Sequence, residues 1–225
     1  MTNEDRAKVE KIRRRKKNNS SKARTETDKE RQVVPEVHDV HDNFFKELMQ
    51  QPGNAMRFLR ERLPEELAGL LGPEPPEVLP GSFVKQLHPS HTDLLLKVVL
   101  TDGCPLLIHL VLEHKSYPEP SARLQLASYV VDVLERWQVE HPRSAVPPVV
   151  PVLVYNGTRR WSYSTELADL AGEVPVVVRK HMLSLEHVLV DLSAIEDDAL
   201  SGDPHLRIIL RVERLALSDT GSALV

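Results

Sequence analysis

Thr92–Leu100 reads TDLLLKVVL, Thr101–Cys104 reads TDGC, and Pro105–Glu113 reads PLLIHLVLE. Two apolar, β-branched runs flanking an Asp-Gly pair predict a β-hairpin. Within the runs the polar exceptions are Lys97 and His109, and ionic residues gather at one end: Asp93 near the start of the first strand, Glu113-x-Lys115 at the end of the second. The turn decides which face each of these occupies. With Asp102-Gly103 as a two-residue loop, Asp93 would stand opposite Leu112 and point away from Glu113. With Thr101–Gly103 as a three-residue loop, glycine taking the left-handed position, or with one bulge, Asp93 stands opposite Val111. It then shares a face with Glu113 as a diagonal neighbour.

Outward from the hairpin, residues 121–140 show helical spacing (Leu124, Leu126, Ala127, Val130, Val131, Leu134, Trp137), and Val149–Tyr155 (VVPVLVY) reads as a central strand buried on both faces. Pro151 is awkward inside that strand. Upstream, residues 38–71 read as helical. Asp42 or Asn43 can cap a first helix carrying Phe44, Phe45, Leu48 and Met49, Pro52-Gly53 breaks it, and Asn54 can cap a second. Pro64-Glu65-Glu66 resembles the first turn of a third, short helix, ended by Gly72-Pro73. Residues 73–91 are Pro-rich with an extended piece near Ser82–Leu87. Val174–Val178 is a further strand candidate, and Ile195–Leu217 reads as a last helical region. Hairpin, helix, then strand predicts an α/β domain with a mixed β-sheet flanked by helices.

The chain has 225 residues and a formal net charge of −4, an average that describes neither part of it. Residues 1–31 hold 12 Lys and Arg against 6 Asp and Glu, leaving 17 basic and 27 acidic residues of the chain's 29 and 33 for the remainder. The tail, with Arg13, Arg14, Arg15, Lys16 and Lys17, has too few large apolar residues to offset its ordering entropy and reads as disordered. Such an arm can hold phosphate backbones, and it can equally serve as a solubilising tail. A single cysteine, Cys104, excludes a disulfide framework and a cysteine zinc cluster and fits a reducing, cytoplasmic compartment. No apolar run reaches the roughly 18 residues of a membrane span.

Carboxylates beside a hydrophobic hairpin cost desolvation unless they pair or bind a cation. Asp93 and Glu113 as oxygen ligands with open positions suit Mg²⁺ (or Mn²⁺), and Lys115 is placed to stabilise phosphate charge or assist a water. The plain alternative is a structural ion pair. Gln125 and Tyr129, four apart on one helix face, either look towards this site or towards DNA, or pack as an ordinary core Tyr beside a solvated Gln. His38-x-x-His41 and His88-x-x-His91 are read as loop or cap histidines, Cys104 as an inert turn thiol, and Trp137 and Trp161 as packing anchors.

Several motifs, in order, give a resemblance. His41-Asp42-Asn43-Phe44-Phe45-Lys46-Glu47-Leu48 resembles the opening of the recombination-promoting nuclease (Rpn), or transposase-like, family. Ala55–Leu59 (AMRFL), Leu63–Leu67 (LPEEL), Gly81–Val84 (GSFV), Asp93-Leu94-Leu95, Leu112–Ser116 (LEHKS) and Pro151–Gly157 (PVLVYNG) are similar to the same family. The resemblance covers about 38–192, leaving 1–37 as tail and 193–225 as a helical extension. It implies the restriction-endonuclease-like, PD-(D/E)XK fold. It further implies Asp93, Glu113 and the His114 carbonyl as metal ligands, Lys115 as the assisting cation, and Asp42 as an added acidic group or merely a helix cap. Where the family commonly has Glu-His-Gln-Ser, this chain has Lys115, nearer the superfamily's Glu-x-Lys. Where the family often has Tyr-His-Gly, it has Asn156. The implied function is a Mg²⁺-dependent DNA endonuclease associated with recombination and transposition. The alternatives are a catalytically weak or inactive DNA-binding derivative and a protein-interaction domain on the same scaffold. DNA is the implied partner, no membrane is, and a homo-oligomer is compatible.

Overall fold

The structure, a computed structural model, describes residues 45–51, 53–80, 92–113 and 117–220, with the side chains at 92–93 and 216–220 outside that description. The basic arm, Asp42, the Ser82–Leu87 segment, both His-x-x-His pairs, His114 and Lys115 lie outside the described residues.

The hairpin forms as a three-residue loop. Strands β2 (Thr92–Val99) and β3 (Pro105–Glu113) pair antiparallel, with Leu95 opposite His109 and Asp93 opposite Val111. At the turn the Leu100 N–H donates to the Cys104 carbonyl and the Gly103 N–H to the Leu100 carbonyl, each at 2.9 Å. Gly103 takes φ 85°, the left-handed conformation that closes such a loop without a Cβ penalty. The Asp102 carboxylate accepts from the Cys104 N–H at 2.9 Å, and its charge pushes the exposed Cys104 thiol up and away from the reactive thiolate.

Three strands complete a mixed sheet in the order β1-β2-β3-β4-β5. A two-residue β1 (Glu77–Val78) pairs antiparallel with β2, upstream of the Ser82–Leu87 stretch expected to be extended. β4 (Val149–Tyr155) runs parallel to β3, and β5 (Val188–Asp191) parallel to β4. The crossover from β3 to β4 carries the long helix α4 (Ala122–Glu140), numbered after three earlier helices: α1 over 45–49, α2 (Asn54–Arg62) and α3 (Glu65–Ala68). Pro151 fits because even-numbered β4 residues face β3, as the bonds from Leu107 N–H to Pro148 and from Asn156 N–H to Glu113 show. The missing Pro151 N–H therefore points to the β5 side, where pairing begins only at Val152 with Val188.

Alternation gives the sheet two faces. Even-numbered positions such as Leu96, Ile108, Leu110, Leu112, Val152 and Val154 pack against Phe45, Phe58, Leu59 and the C-terminal helix α6 (Pro204–Thr220) through Leu206 and Leu210. Phe45 and Phe58 meet edge to face, 6.0 Å between centroids. Odd-numbered Leu95, Leu107, Val111 and Leu153 pack against Leu126, Tyr129 and Val133 of α4.

Four expectations are corrected. Asn54 does not cap α2. Gly53 occupies that position at φ 92°, and the Asn54 amide donates back to the Leu48 carbonyl at 3.2 Å. The third helix ends at Ala68, with Gly69 rather than Gly72 at its C-terminal cap. Val174–Val178 is not a strand: Pro175 precedes a one-turn helix, α5 (Val176–Arg179), whose valines are largely exposed. The last helix begins only at Pro204, where Asp203 accepts from the N–H groups of His205 and Leu206 at 2.9 Å. Within the described residues no helix is long and apolar enough to cross a membrane.

Candidate active site

The three parallel strands end together, and on the α4 face their last residues form a row. Glu113 of β3 pairs with Tyr155 of β4, and Tyr155 with Asp191 of β5. The C-terminal edge of parallel strands is where open α/β sheets gather ligands. The Asp93 position lies on the same face. Being opposite Val111, it is a diagonal neighbour of Glu113, about 7–8 Å away between Cα atoms. This is the register that a shared site for the two acidic residues requires.

Glu113 is buried, with 2% of its surface exposed. The Asn156 N–H donates to its backbone carbonyl at 3.0 Å, extending the β3–β4 ladder by one bond. Asn156 itself turns to the other face, where its side-chain amide donates to the Glu213 carbonyl of α6. That bond accounts for asparagine at this position: it ties the end of β4 to the C-terminal helix. Burial, then the charges of Asp191 and Glu113, push the Tyr155 phenol up to about 12. The chain turns closely over it, so that a Cβ on Gly157 would overlap the Tyr155 hydroxyl.

Asp191 was missed by sequence reasoning, and its role is partly structural. One carboxylate oxygen accepts from Ser193 (N–H 3.0 Å, O–H 2.6 Å), the other from the Trp161 N–H at 2.8 Å. It thereby fastens the loop after β4, and Trp161 packs edge-on to Tyr155 at 5.1 Å. Arg123, in the first turn of α4, was missed too. It is buried, donating to the carbonyls of Pro120 (3.3 Å) and Glu166 (3.1 Å). A signal existed: a cation in the first turn opposes the helix dipole, so another interaction must hold it there.

Of the helix pair, Tyr129 is fully buried, its ring edge-on to His109 at 5.2 Å, while Gln125 one turn earlier is half-buried. Tyr129 thus belongs to the packing between α4 and the sheet. Trp137 and Trp161 pack against the same cluster. Among the described residues no group of three His, Cys, Asp or Glu side chains could hold a metal. The donors the sheet aligns are oxygens, the Glu113 carboxylate with the Asp93 position beside it, a set whose hardness fits Mg²⁺ or Mn²⁺ rather than a soft metal.

The model of the family described as "Putative transposase, YhgA-like" matches residues 39–224. The chain belongs to this family. It is similar to recombination-promoting nuclease RpnD of Escherichia coli O157:H7, 31% identical over 177 residues, which are 76% of this chain and 64% of RpnD. It is also similar to two proteins of E. coli K12. RpnC is 31% identical over 117 residues (52% of this chain, 39% of RpnC), and RpnA 24% over 176 (77% and 59%). The chain spans less than two thirds of the length of these relatives. No solved structure matches it. The YhgA-like match runs through α6, past residue 192 where the motif resemblance stopped.

Proposed function

We propose that this chain is a metal-dependent DNA endonuclease acting in recombination or transposition. The observation that carries the reading is the hairpin register, which brings Asp93 and Glu113 to one face at the ends of the parallel strands. Family membership and the printed names of the Rpn relatives support it.

In this reading Asp93, Glu113 and the carbonyl of His114 hold Mg²⁺. When bound, the cation supplies charge neutralisation at the phosphodiester and lowers the pKa of water. Glu113 presents its carboxylate from a buried strand end, so little side-chain freedom is lost on engaging a ligand. Lys115 neutralises phosphate charge or steadies the attacking water. Asp42 adds acidity beside the site, and Gln125 contributes a polar contact from the start of α4. Arg13, Arg14, Arg15, Lys16 and Lys17 grip the DNA backbone without sequence information, so that an acidic body can still engage DNA.

Incubating supercoiled plasmid with Mg²⁺ and either wild type or Asp93→Ala tests the reading. Nicking by wild type, reduced about 10³-fold or more in the variant, is expected. Equal nicking by both, or none by wild type, overturns it. Metal-independent DNA retention without cleavage, lost on deleting residues 1–31, indicates an inactive DNA-binding derivative instead.

A further inference from the structure

Resting on the nuclease reading, we infer that Tyr155 is a positioning residue, its phenol O–H being the donor that orients the Glu113 carboxylate. The two are paired neighbours across β3 and β4 on one face, and adjacent strands lie about 4.8 Å apart. Tyr155 is fully buried, and its hydroxyl has no hydrogen-bond partner among the described residues. A phenylalanine would fill this space without burying a polar atom, so packing alone does not account for the hydroxyl.

The ring cannot swing away. Trp161 abuts it at 5.1 Å, with the ring planes 70° apart, and the close turn at Gly157 passes over the hydroxyl. The neighbour on the other side, Asp191, is committed elsewhere: its two oxygens already accept from Ser193 and from the Trp161 N–H. The hydroxyl is therefore held between a carboxylate occupied with the loop and one proposed to bind a cation. A donor that fixes such a carboxylate sets its orientation towards the metal, and losing a partner of this kind costs about 10- to 100-fold in metal affinity or activity.

The test is Tyr155→Phe in the full chain, read by Mn²⁺ affinity from electron paramagnetic resonance and by thermal melting. Mn²⁺ affinity about tenfold weaker, at an unchanged or raised Tm, is expected. In a Glu113→Gln background the same substitution should change Mn²⁺ affinity less than twofold, since the carboxylate it orients is gone. Unaltered affinity in Tyr155→Phe overturns this inference and leaves the nuclease reading standing. So does a lowered Tm, which makes the hydroxyl a structural bond, and so does an undiminished loss in the Glu113→Gln background. Wild type that binds no Mn²⁺ overturns both.

Discussion

The two faces of the sheet share the same strands but do different work. The even-numbered face is apolar along the strands and closed by α2 and α6, with Phe58, Leu96, Ile108, Leu206 and Leu210 fully buried. The odd-numbered face also has an apolar centre, but it carries His109 in mid-strand and Glu113, Tyr155 and Asp191 along its C-terminal end. One face concentrates burial energy. The other accepts buried polar groups, each a cost unless satisfied, at the edge where chemistry is proposed.

The sharpest way to break this contrast is Glu113→Gln. The change keeps shape and removes charge. DNA nicking should fall about 10³-fold or more, roughly 4 kcal/mol of transition-state stabilisation. The melting temperature should hold or rise, because a buried carboxylate no longer needs desolvating. A variant that nicks normally, or melts far below wild type, would make Glu113 a structural residue.

On the opposite face, Phe58→Ala removes a fully buried ring that meets Phe45 edge-on. It should cost about 3–5 kcal/mol in urea unfolding. Nicking per folded molecule at low temperature should remain near wild type. If activity instead falls in excess of the folded fraction, the two faces are coupled and the division of labour is wrong.

His109 tests the cost of polarity on the site's face. Burial lowers its pKa from the usual 6.5 to about 4, so the folded protein holds it neutral. The unfolded chain takes up a proton below pH 6.5, and the stability due to neutral His109 is lost as pH falls from about 6.5 through 4. The loss is on the order of 3 kcal/mol. His187, lowered chiefly by burial, adds a loss of the same sign. Urea unfolding across this range should show a shallower pH slope for His109→Leu than for wild type. Parallel slopes would mean that His109 is protonated in the fold.

The same contrast shows what could be read ahead of the structure. The hairpin was legible because its register is set locally: Asp-Gly admits few turns, and the requirement that Asp93 and Glu113 share a face singled out the three-residue loop now seen at Thr101–Gly103. The helix over Ala122–Glu140 was legible from periodicity. β5 was not, since four residues carry no period and their pairing is imposed by β4. Val174–Val178 misled for the converse reason. β-branched residues suggest a strand, but no neighbouring strand pairs with them, and Pro175 starts a helical turn. Asp191 was invisible because its importance comes from Trp161, thirty residues away.

Lys97 asks whether every charge on the odd-numbered face belongs to the site. It occupies the face of Asp93 and Glu113, but four residues along β2 from Asp93. Its ammonium pairs with Glu77 across the β1–β2 edge at 2.9 Å, the two side chains 34% and 62% exposed. An ion pair this open to water is worth about 0–1 kcal/mol and is screened by salt. Lys97→Met keeps the aliphatic stem against the sheet and removes the charge. It should destabilise by less than about 1 kcal/mol in low salt and by nothing measurable in 1 M salt, with Mn²⁺ affinity and nicking unchanged. Weakened metal binding in Lys97→Met would extend the electrostatics of the site along β2 and dissolve the boundary between its polar edge and the ordinary surface beside it.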